Sequence, residues 1–593
     1  MTPLSEEKRV SRFQRLNSLL REFTPFQRMM LYGFTILMGL SAFVLLAKAN
    51  DLISVEIPAP GGSLVEGSVG TPRFINPLLA ASQSDQDLTT LIYSGLLREQ
   101  KDGSFTPDLA SDYDISADGT VYTFHLKPDL AFHDGKPLTA DDILFTISLA
   151  QNPDVKSTRR ADWEGVVVKA PDTGTIVFTL PHAYAPFLEN TTMGILPKHV
   201  WQSVPAQEFP FSPSNTHPVG SGPYRIKDVK TDTTGAPTEY RLVPFNGFVL
   251  GTANITHITY RVYASEDALM SAFEGGDIDS FVSSSPKDLP RTAADDANLI
   301  RVPLTRVFGI FLNQNHASVL ANAAVRAALD AAVDKRKIVS DILGGYGSTL
   351  DGPIPPGLFS DTSTSASSTE TDADHAQAAR DILTKGGWKF SANATSTDAA
   401  PPAGRWIKDK TTLSITLATA DTDELVATAH AVADAWRAAG IQTQVQIYPL
   451  QELNSTVLRP RAYDAVLFGE VVGRSLDVYA FWHSSQRNDP GLNLALYANA
   501  VADKALADAR AETDPTKRQQ SYLTFLEAVR KDKPAVFLYS PDIVYLVPTH
   551  VQGIDIGTIT TPSERFLDVY EWYRDTERVW DIFAPKIRDS SLN

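Results

Sequence analysis

The segment FHLKPDLAFHDGKPLTADDILFTI, residues 124–147, carries two histidines and four aspartates in 24 positions. Imidazole and carboxylate side chains are the groups that proteins use most often for proton transfer and for binding transition metals. A segment this rich in them is a candidate for a catalytic or metal site. Whether it is one depends on the elements that these residues must build.

Those elements favour a structural interpretation. Residues 120–126 alternate as a strand does, and Asp134, followed by glycine, predicts a turn. Thr139 and Asp142 have the spacing of a helix capping box, which predicts that a helix starts there. His133 is predicted to be a turn residue bonded to the backbone. The polar density therefore indicates architecture rather than catalysis.

The composition excludes several classes of function. The chain has 593 residues and a formal net charge of −17, and so acidic a body repels the phosphates of nucleic acids. It has no cysteine, which excludes disulfides, thiolate nucleophiles, iron–sulfur clusters and cysteine zinc sites. We expect no cofactor and no nucleic-acid partner. The length predicts a large core and more than one lobe.

Four common enzyme motifs are absent, although the abundant Asp and Glu leave a catalytic carboxylate pair open. The chain lacks G-x-S-x-G, G-x-x-x-x-G-K-[ST], H-E-x-x-H and G-x-G-x-x-G. Its 11 histidines are scattered, and no pair has the helical spacing of a metal site with a third ligand nearby. We interpret the following histidines as structural or surface residues: His133, His182, His199 and His217.

An apolar run near the N-terminus predicts a membrane anchor. Residues 29–47, MMLYGFTILMGLSAFVLLA, are 19 positions without a charge, long enough to cross the hydrocarbon core as a helix. Residues 1–28 carry six basic side chains and only Lys48 follows closely. The positive-inside rule then places residues 1–28 in the cytoplasm and the large body outside the cytoplasmic membrane.

Two features after this run bear on the attachment of the body. Ala47, Lys48 and Ala49 form an A-x-A pattern, so a cleaved signal peptide is the alternative to a retained anchor. The run is longer than the apolar core of a usual signal peptide, which favours a single-pass anchor. Residues 48–61 contain Pro58, Pro60 and Gly61, and Gly62 follows, so this segment is predicted to be a mobile tether.

The rest of the chain alternates between strands and helices, which predicts an α/β fold with several mixed sheets. Strands are predicted at 120–126, 174–180, 238–244, 256–263, 308–314, 412–419, 442–448 and 535–541. One helix is predicted to start at a cap on Asn322 and another to end at Gly440. Residues 360–374 and 391–404 are low in complexity and are predicted to be surface loops.

Several segments, taken in order, resemble the extracytoplasmic solute-binding proteins of oligopeptide and dipeptide transporters, the family-5 binding proteins. Residues 102–147, which include the polar segment, closely resemble the family's signature. Other similar segments are GSVGTPRFINPLLA (67–80), HPVGSGPYRI (217–226), ALMSAFEGGDIDSF (268–281), NAAVRAALDAAVDKRKI (322–338), AWRAAGIQTQVQ (435–446) and YDAVLFG (463–469). Each motif is modest alone, but their order is specific. The resemblance covers residues 62–580.

The resemblance implies a periplasmic-binding-protein-like clamp of two lobes with an additional domain, preceded by the transmembrane helix. The expected boundaries are 62–96, 216–303 and 541–593 for lobe I, 97–215 for the additional domain and 304–540 for the closing lobe II. In this family a ligand that contacts both lobes favours the closed state, and closure reports occupancy to a membrane partner. No covalent step is needed, so no enzymatic activity is expected.

The resemblance also points to a loop that holds the ligand. In peptide-binding relatives, a carboxylate after the YDAVLFG-like strand pairs with the α-amine of the ligand. The loop here is EVVGRSLDVYAFWHSS, residues 470–485, and it has Arg474 at that position. A guanidinium repels an amine and attracts a carboxylate or phosphate. Glu470 or Asp477 can supply the acid if the loop is reshaped, and an Arg474–Asp477 pair is the structural alternative.

Five weaker candidates complete the predicted site. Ser82, Gln83 and Ser84 lie in a first-lobe loop that, in relatives, hydrogen bonds the peptide, and their alternative interpretation is an ordinary polar turn. Tyr479 and Trp482 can line the cleft with aromatic surface, although aromatic side chains at such spacing are more often core.

These observations predict a membrane-anchored, monomeric receptor that delivers a peptide or a related small polar ligand to the permease subunits of an ABC importer. Anchoring through residues 29–47 would raise the local concentration of the receptor near the permease. Two alternatives stay open. One is a ligand-sensing ectodomain without transport, and the other is a receptor for a metal complex or a non-peptide anionic solute.

Overall fold

The computed structural model describes residues 23–283, 297–358, 371–392 and 404–583, together with residues 287 and 289. The helices are α1 Pro25–Ile53, α2 Gln83–Ile92, α3 Ala140–Gln151, α4 Phe187–Asn190, α5 Lys198–Trp201, α6 Glu266–Glu274, α7 Ala323–Ala331, α8 Lys335–Asp341, α9 Asp372–Lys385, α10 Asp423–Ala438, α11 Leu450–Glu452, α12 Tyr479–Trp482, α13 Ala500–Ala511 and α14 Pro515–Asp532.

Strands are present at every position where the sequence predicts one, which confirms the α/β class. They are β1 Ser54–Ala59, β2 Gly61–Val69, β3 Leu97–Glu99, β4 Phe105–Pro107, β5 Ala110–Ile115, β6 Val121–Leu126, β7 Val167–Asp172, β8 Thr175–Thr179, β9 Tyr224–Thr231, β10 Pro237–Pro244, β11 Ile255–Tyr263, β12 Ser280–Ser283, β13 Ala297–Pro303, β14 Arg306–Leu312, β15 Gly347–Thr349, β16 Lys389–Ala392, β17 Gly404–Lys408, β18 Thr411–Thr412, β19 Ser414–Ala420, β20 Gln442–Tyr448, β21 Ala465–Val471, β22 Ala535–Pro548 and β23 Asp575–Trp580.

A mixed sheet of twelve strands runs through the large unit, residues 61–574. Its order is β20-β19-β21-β14-β22-β12-β2-β11-β10-β9, and β13 and β15 also pair with β22. Smaller sheets among the described residues have the orders β5-β6-β8-β7, β16-β17-β18, β3-β4 and β1-β23. The pairs β2–β11 and β19–β20 are parallel, so the sheet combines crossover connections with hairpins.

The buried apolar side chains of the large unit fall mainly into two clusters. The first core draws on residues 64–304 and 543–572, and the second core draws on residues 307–539. Strand β22 belongs to both, because its first residues pair with β14 and its last residues pair with β12 and β13. Its 14 residues are almost all buried, as expected for a strand covered on both faces.

The polar segment 124–147 builds structure, as predicted. The His133 ring accepts a hydrogen bond from the Gly220 N–H at Nδ1 (3.3 Å) and donates from Nε2 to a neighbouring carbonyl (3.1 Å). Burial lowers the pKa of His133 to about 4, so the imidazole is neutral at physiological pH. At the start of α3 the Asp142 carboxylate accepts the N–H of Thr139 at 2.9 Å, the predicted capping interaction.

The two predicted helix boundaries are also confirmed. Asn322 caps α7 by accepting the N–H of Ala324 at 3.0 Å. Helix α10 ends at Ala438, and Gly440 follows with a φ of +84°, a conformation that favours glycine. The apolar faces of both helices are buried in the second core.

A small unit contains α1, β1 and β23. Helix α1 is long and apolar enough to cross a membrane. The prediction of an irregular tether at residues 48–61 is wrong, because α1 continues to Ile53 and β1 follows directly. Strand β1 pairs with β23 in antiparallel register. Both strands of a two-stranded ribbon are edges, which is why Pro58 is tolerated in β1.

The ribbon also changes one expected boundary. Residues 575–580 were expected to belong to lobe I, within 541–593, but they pair with β1 in the small unit. Of the low-complexity stretches, residues 359–370 and 393–403 lie outside the described residues. Thr371 caps α9, so the end of the first stretch is a helix start rather than a loop.

A fully buried ion cluster joins distant parts of the first core. The Arg565 guanidinium lies 2.7 Å from Glu66 and 2.8 Å from Asp87, and these three side chains are at most 1% exposed. Tyr260 donates to Asp87 at 2.9 Å and Tyr545 donates to Glu66 at 3.0 Å. The cluster thus fixes β2, α2, β11 and β22 around the 3₁₀ helix that carries the arginine.

Replacing Arg565 with methionine leaves Glu66 and Asp87 buried without a cation. We expect the free energy of unfolding to fall by about 3–5 kcal/mol, measured by urea denaturation followed by circular dichroism. The control is Arg437→Met, which removes an exposed ion pair with Asp434 and is expected to cost at most about 1 kcal/mol. Equal losses in the two variants would contradict the role assigned to the cluster.

Candidate ligand-binding site

The large unit contains a cavity of about 290 Å³ beside α2, β3 and the 3₁₀ helix Pro562–Phe566. This volume is near the lower end of the range for ligand pockets. Helix α2 supplies an uncharged polar wall through Gln86, Thr89 and Thr90. The acidic side chains of the cavity wall, apart from one aspartate in an ion pair, are Glu99, Glu189 and Glu564.

Local backbone structure holds Glu564 in place. Its carboxylate accepts the N–H of Thr560 at 3.0 Å and of Thr561 at 2.9 Å, which caps the 3₁₀ helix. Because the next residue is the buried Arg565, this wall of the cavity is anchored directly to the ion cluster of the first core.

Arg474 comes from the loop after β21 and meets two of these glutamates. Its Nε lies 3.0 Å from Glu99 and its Nη1 lies 3.5 Å from Glu564, and Nη2 donates to the Gln100 carbonyl. The arginine is 7% exposed. Its partners are carboxylates of the first core's segments, so the alternative of an Arg474–Asp477 pair is wrong.

The same loop approaches the third glutamate closely. A Cβ at Gly473 would lie only 3.0 Å from one carboxylate oxygen of Glu189 and 3.2 Å from the other. Ser475 hydrogen bonds to Glu189 and opposes the rise in the pKa of this carboxyl that burial causes. Residues 473–475 thus contact the acidic wall through a glycine, an arginine and a serine.

Carboxylates outnumber cations around the cavity. Of the arginines that line it, Arg98 pairs with Asp108 at 2.9 Å and Arg159 pairs with Asp162 at 2.9 Å. Among the described residues, Glu99 and Glu564 face the guanidinium of Arg474, and Glu189 hydrogen bonds to Ser475, so the wall holds more carboxyl groups than guanidinium groups. Burial raises the pKa of Glu99 and of Glu189, and a cationic group in the cavity would favour the ionised form of both carboxyls.

A second contact from the loop involves Asp477. Its carboxylate accepts from Arg510 at 2.7 Å and from the Tyr184 hydroxyl at 3.0 Å. The Arg510 guanidinium lies over the rings of Tyr184 (5.0 Å) and Tyr479 (4.4 Å), an arrangement of cation–π type. Asp477 and Tyr479 therefore lie at a contact between segments of the second core and Tyr184, which comes from the first core's part of the chain.

The other two candidates of this loop lie inside the second core. Trp482 is fully buried against the rings of Phe311 and Phe537 at 6.0 and 5.5 Å. Glu470 is 3% exposed, and burial raises its pKa well above the usual value, an effect that the Trp482 indole only partly opposes. Neither side chain lines the cavity of about 290 Å³.

The three candidates of the first lobe are at the start of α2. Ser82 is its N-cap and accepts the N–H of Asp85 at 3.2 Å. Ser84 is fully buried and donates to the Gly70 carbonyl at 2.6 Å. Gln83 is the first helical residue and is half-buried. The structure uses both serines to build the helix whose later residues line the cavity.

The description "Bacterial extracellular solute-binding proteins, family 5 Middle" belongs to a family model that matches residues 104–493. The chain belongs to this family. The resemblance seen in the sequence is confirmed, and the protein is an extracytoplasmic solute-binding protein rather than an enzyme.

Relatives match this family-5 protein over most of their length. It is 28% identical to the oligopeptide-binding protein AppA of Bacillus subtilis over 530 residues, 87% of this chain and 92% of AppA. It is 30% identical to Protein XP55 of Streptomyces lividans over 500 residues, 83% and 86% of the two chains. The solved structure of B. subtilis AppA in complex with a nonapeptide superimposes with a TM-score of 0.65 at 26% identity, covering 88% of this chain and 100% of that chain. The expected binding-protein fold is confirmed.

The sequence did not predict that Glu99, Glu189 and Glu564 line the cavity of this family-5 protein. Thr561 and Glu564 have the spacing of a capping box, but that signal predicts the start of a helical turn and not a ligand. Glu99 and Glu189 have no local signal, because their role arises only when the chain folds. No group of three or more metal-ligating side chains occurs among the described residues.

The Glu99 carboxyl is expected to make stability depend on pH. Burial raises its pKa to about 8, Arg474 opposes this, and the nearby Glu564 and Glu189 add to it. Because the pKa is higher in the folded state, the folded protein holds this proton more tightly than the unfolded chain does. The free energy of unfolding should therefore fall as the pH rises from about 4.5 to 8, by up to about 1.4 kcal/mol per pH unit.

Urea denaturation of the wild type and of Glu99→Gln at pH 5, 6.5 and 8 measures this contribution as the difference between the two proteins. The exposed Glu164, changed to glutamine, is the matched control and should keep the wild-type dependence. If Glu99→Gln also keeps the wild-type pH dependence of the free energy of unfolding, the dependence does not come from protonation of Glu99.

Proposed function

We propose that this family-5 protein captures peptides outside the cytoplasmic membrane and delivers them to the permease of an ABC importer. Relatives support a peptide ligand, since AppA of B. subtilis is named oligopeptide-binding and is solved with a nonapeptide. A further relative in Escherichia coli is named a probable D,D-dipeptide-binding periplasmic protein. The observation that carries the proposal is the acidic cavity in contact with residues 473–475.

Two lobes are proposed to move about a pair of chain crossings. We assign residues 62–96, 216–303 and 541–574 to lobe I, 97–215 to the additional domain and 304–540 to lobe II. The chain passes between the lobes at Leu304 and at the segment Ser540–Pro541. The Leu304 N–H donates to the Pro541 carbonyl (3.1 Å) and the Ser540 hydroxyl donates to the Leu304 carbonyl (2.8 Å). Two adjacent, hydrogen-bonded crossings are a suitable hinge.

The loop after β21 is proposed to supply the closing contacts. Arg474 with Glu99 and Glu564, and Asp477 with Tyr184, connect lobe II to residues on the other side of the cavity. A ligand that adds contacts to both sides favours this arrangement. Changing the closed population from 1% to 99% needs about 5.5 kcal/mol of differential affinity.

The ligand group proposed for the cavity is the α-ammonium of a peptide. The excess of carboxylates favours a cation, and a small cavity limits it to one end of a peptide. Glu189 and Glu99 then act in place of the carboxylate that peptide-binding relatives carry at the position of Arg474. Arg474 itself is assigned to closure rather than to a ligand carboxylate.

This assignment predicts that the amine is required. We expect a library of tripeptides to bind at least about 10-fold more tightly than the same library after N-acetylation, because a charge-assisted hydrogen bond contributes about 1.5–3 kcal/mol. Native mass spectrometry of the full chain, incubated with each library, measures the bound fraction. Equal binding of both libraries would show that the cavity does not recognise the amine.

Two variants separate recognition from closure. Glu189→Gln should reduce the preference for the free amine. Arg474→Gln should weaken both libraries by a similar factor, because it removes a closing contact that is independent of the ligand. A change of preference in Arg474→Gln would instead place the guanidinium against the ligand.

We also propose that α1 is a retained anchor that crosses the membrane once, with residues 1–28 in the cytoplasm. The A-x-A pattern at Ala47–Ala49 lies inside α1, whereas proteolysis favours exposed, irregular segments. Intact mass spectrometry of protein extracted from membranes is expected to give a mass that includes residues 29–47. A mature chain that begins at Asn50 would show that the segment is a signal peptide.

A further inference from the structure

The small unit brings the C-terminal strand against the outer end of α1. In the ribbon, Ser54 lies opposite Trp580 and Ala59 lies opposite Asp575. The Trp580 indole Nε1 donates to the Asn50 side chain at 2.8 Å. Arg578 adds ion pairs with Asp51 at 3.0 Å and with Glu56 of β1 at 3.2 Å. The end of the described chain is therefore attached at several points to the last turn of the helix.

This attached end presents large apolar side chains to the surroundings. Trp580 is 47% exposed, Ile582 is 79% exposed and Phe583 is 71% exposed. The Trp580 and Phe583 rings stack with centroids 6.2 Å apart. Leu52 and Ile53, on the last turn of α1, are 86% and 49% exposed. An exposed apolar patch of this kind indicates a contact surface for a partner that is itself apolar.

The position of Trp580 along α1 identifies that partner. The uncharged run ends at Ala47, and Asn50, which binds the indole, is three residues further along the helix. At 1.5 Å per residue, Asn50 lies about 4–5 Å beyond the end of the run. The headgroup region on each side of a bilayer is about 5–7 Å thick. If the run spans the hydrocarbon core, Trp580 lies at the depth of the lipid headgroups.

We propose that Trp580, Ile582 and Phe583 form a second membrane contact, seated in the headgroup region beside α1. The proposal rests on the retained anchor. Tryptophan favours this region because its ring is apolar and its N–H is polar, and here the N–H is satisfied by Asn50. The surface is continuous with the membrane-spanning run, which selects lipid over a protein partner.

The distribution of tryptophans makes the proposal directly measurable. Seven of the eight tryptophans are at most 4% exposed, and they are Trp163, Trp201, Trp388, Trp406, Trp436, Trp482 and Trp572. Helix α1 contains no tryptophan. Trp580 is thus the one tryptophan that a quencher in lipid can reach, and the difference between wild type and Trp580→Phe gives its emission alone.

The full chain is reconstituted in phosphatidylcholine vesicles, with or without acyl chains brominated close to the headgroups, and excited at a wavelength selective for tryptophan. We expect bromine to remove most of the Trp580 emission and to leave the spectrum of Trp580→Phe unchanged. Emission from Trp580 should also shift to shorter wavelength when the protein enters vesicles.

Flotation of the vesicles separates the two proposals. If the chain floats with the vesicles but bromine does not reduce the Trp580 emission, the proposed lipid contact is wrong and the proposed anchor stands. A chain that does not float overturns the anchor and the lipid contact together. Trp580→Phe is expected to float as the wild type does, since α1 is unchanged. If this variant failed to float, attachment to the membrane would depend on the ribbon rather than on α1.

Discussion

The guanidinium of Arg565, enclosed with two carboxylates and two tyrosine hydroxyls, is the constraint on which the binding architecture depends. Charges removed from water are stable only when each has its partners in place. The strands and the helix that bring Glu66, Asp87, Tyr260 and Tyr545 together are therefore fixed relative to the 3₁₀ helix that carries the arginine. Glu564 is the next residue, so the same constraint determines where the acidic wall of the cavity stands.

The contacts of the loop after β21 with the opposite side of the cavity are of a different kind. They are ion pairs and hydrogen bonds from one loop, made by Arg474, Ser475 and Asp477. Charged groups that separate recover their hydration, which offsets much of the Coulomb energy that they lose. An ionic contact of this kind can form and open with a small net change in free energy, which suits the reversible closure that we propose.

What the sequence predicted depended on how local each signal is. Strand alternation, the Thr139–Asp142 cap, the Asn322 cap and the bonding of His133 were all predicted correctly, because they involve neighbouring residues or a short period. The partners of Arg474 were not, since Glu564 lies 90 residues away along the chain, Glu99 lies much further away, and only folding brings them to the loop. The ribbon of β1 and β23 was missed for the same reason, since proline and glycine argued locally against a strand.

Strand β22 lies between β14 and β12, so it is central to both halves of the large sheet, yet it comes from the last tenth of the chain. A polypeptide that emerges N-terminus first has neither half complete until residues 535–548 arrive. Edges of β12 and β14 stay unpaired until then, and neither core can close alone. The order of strands along the chain thus makes the completion of both halves of the sheet depend on a segment from the last tenth of the sequence.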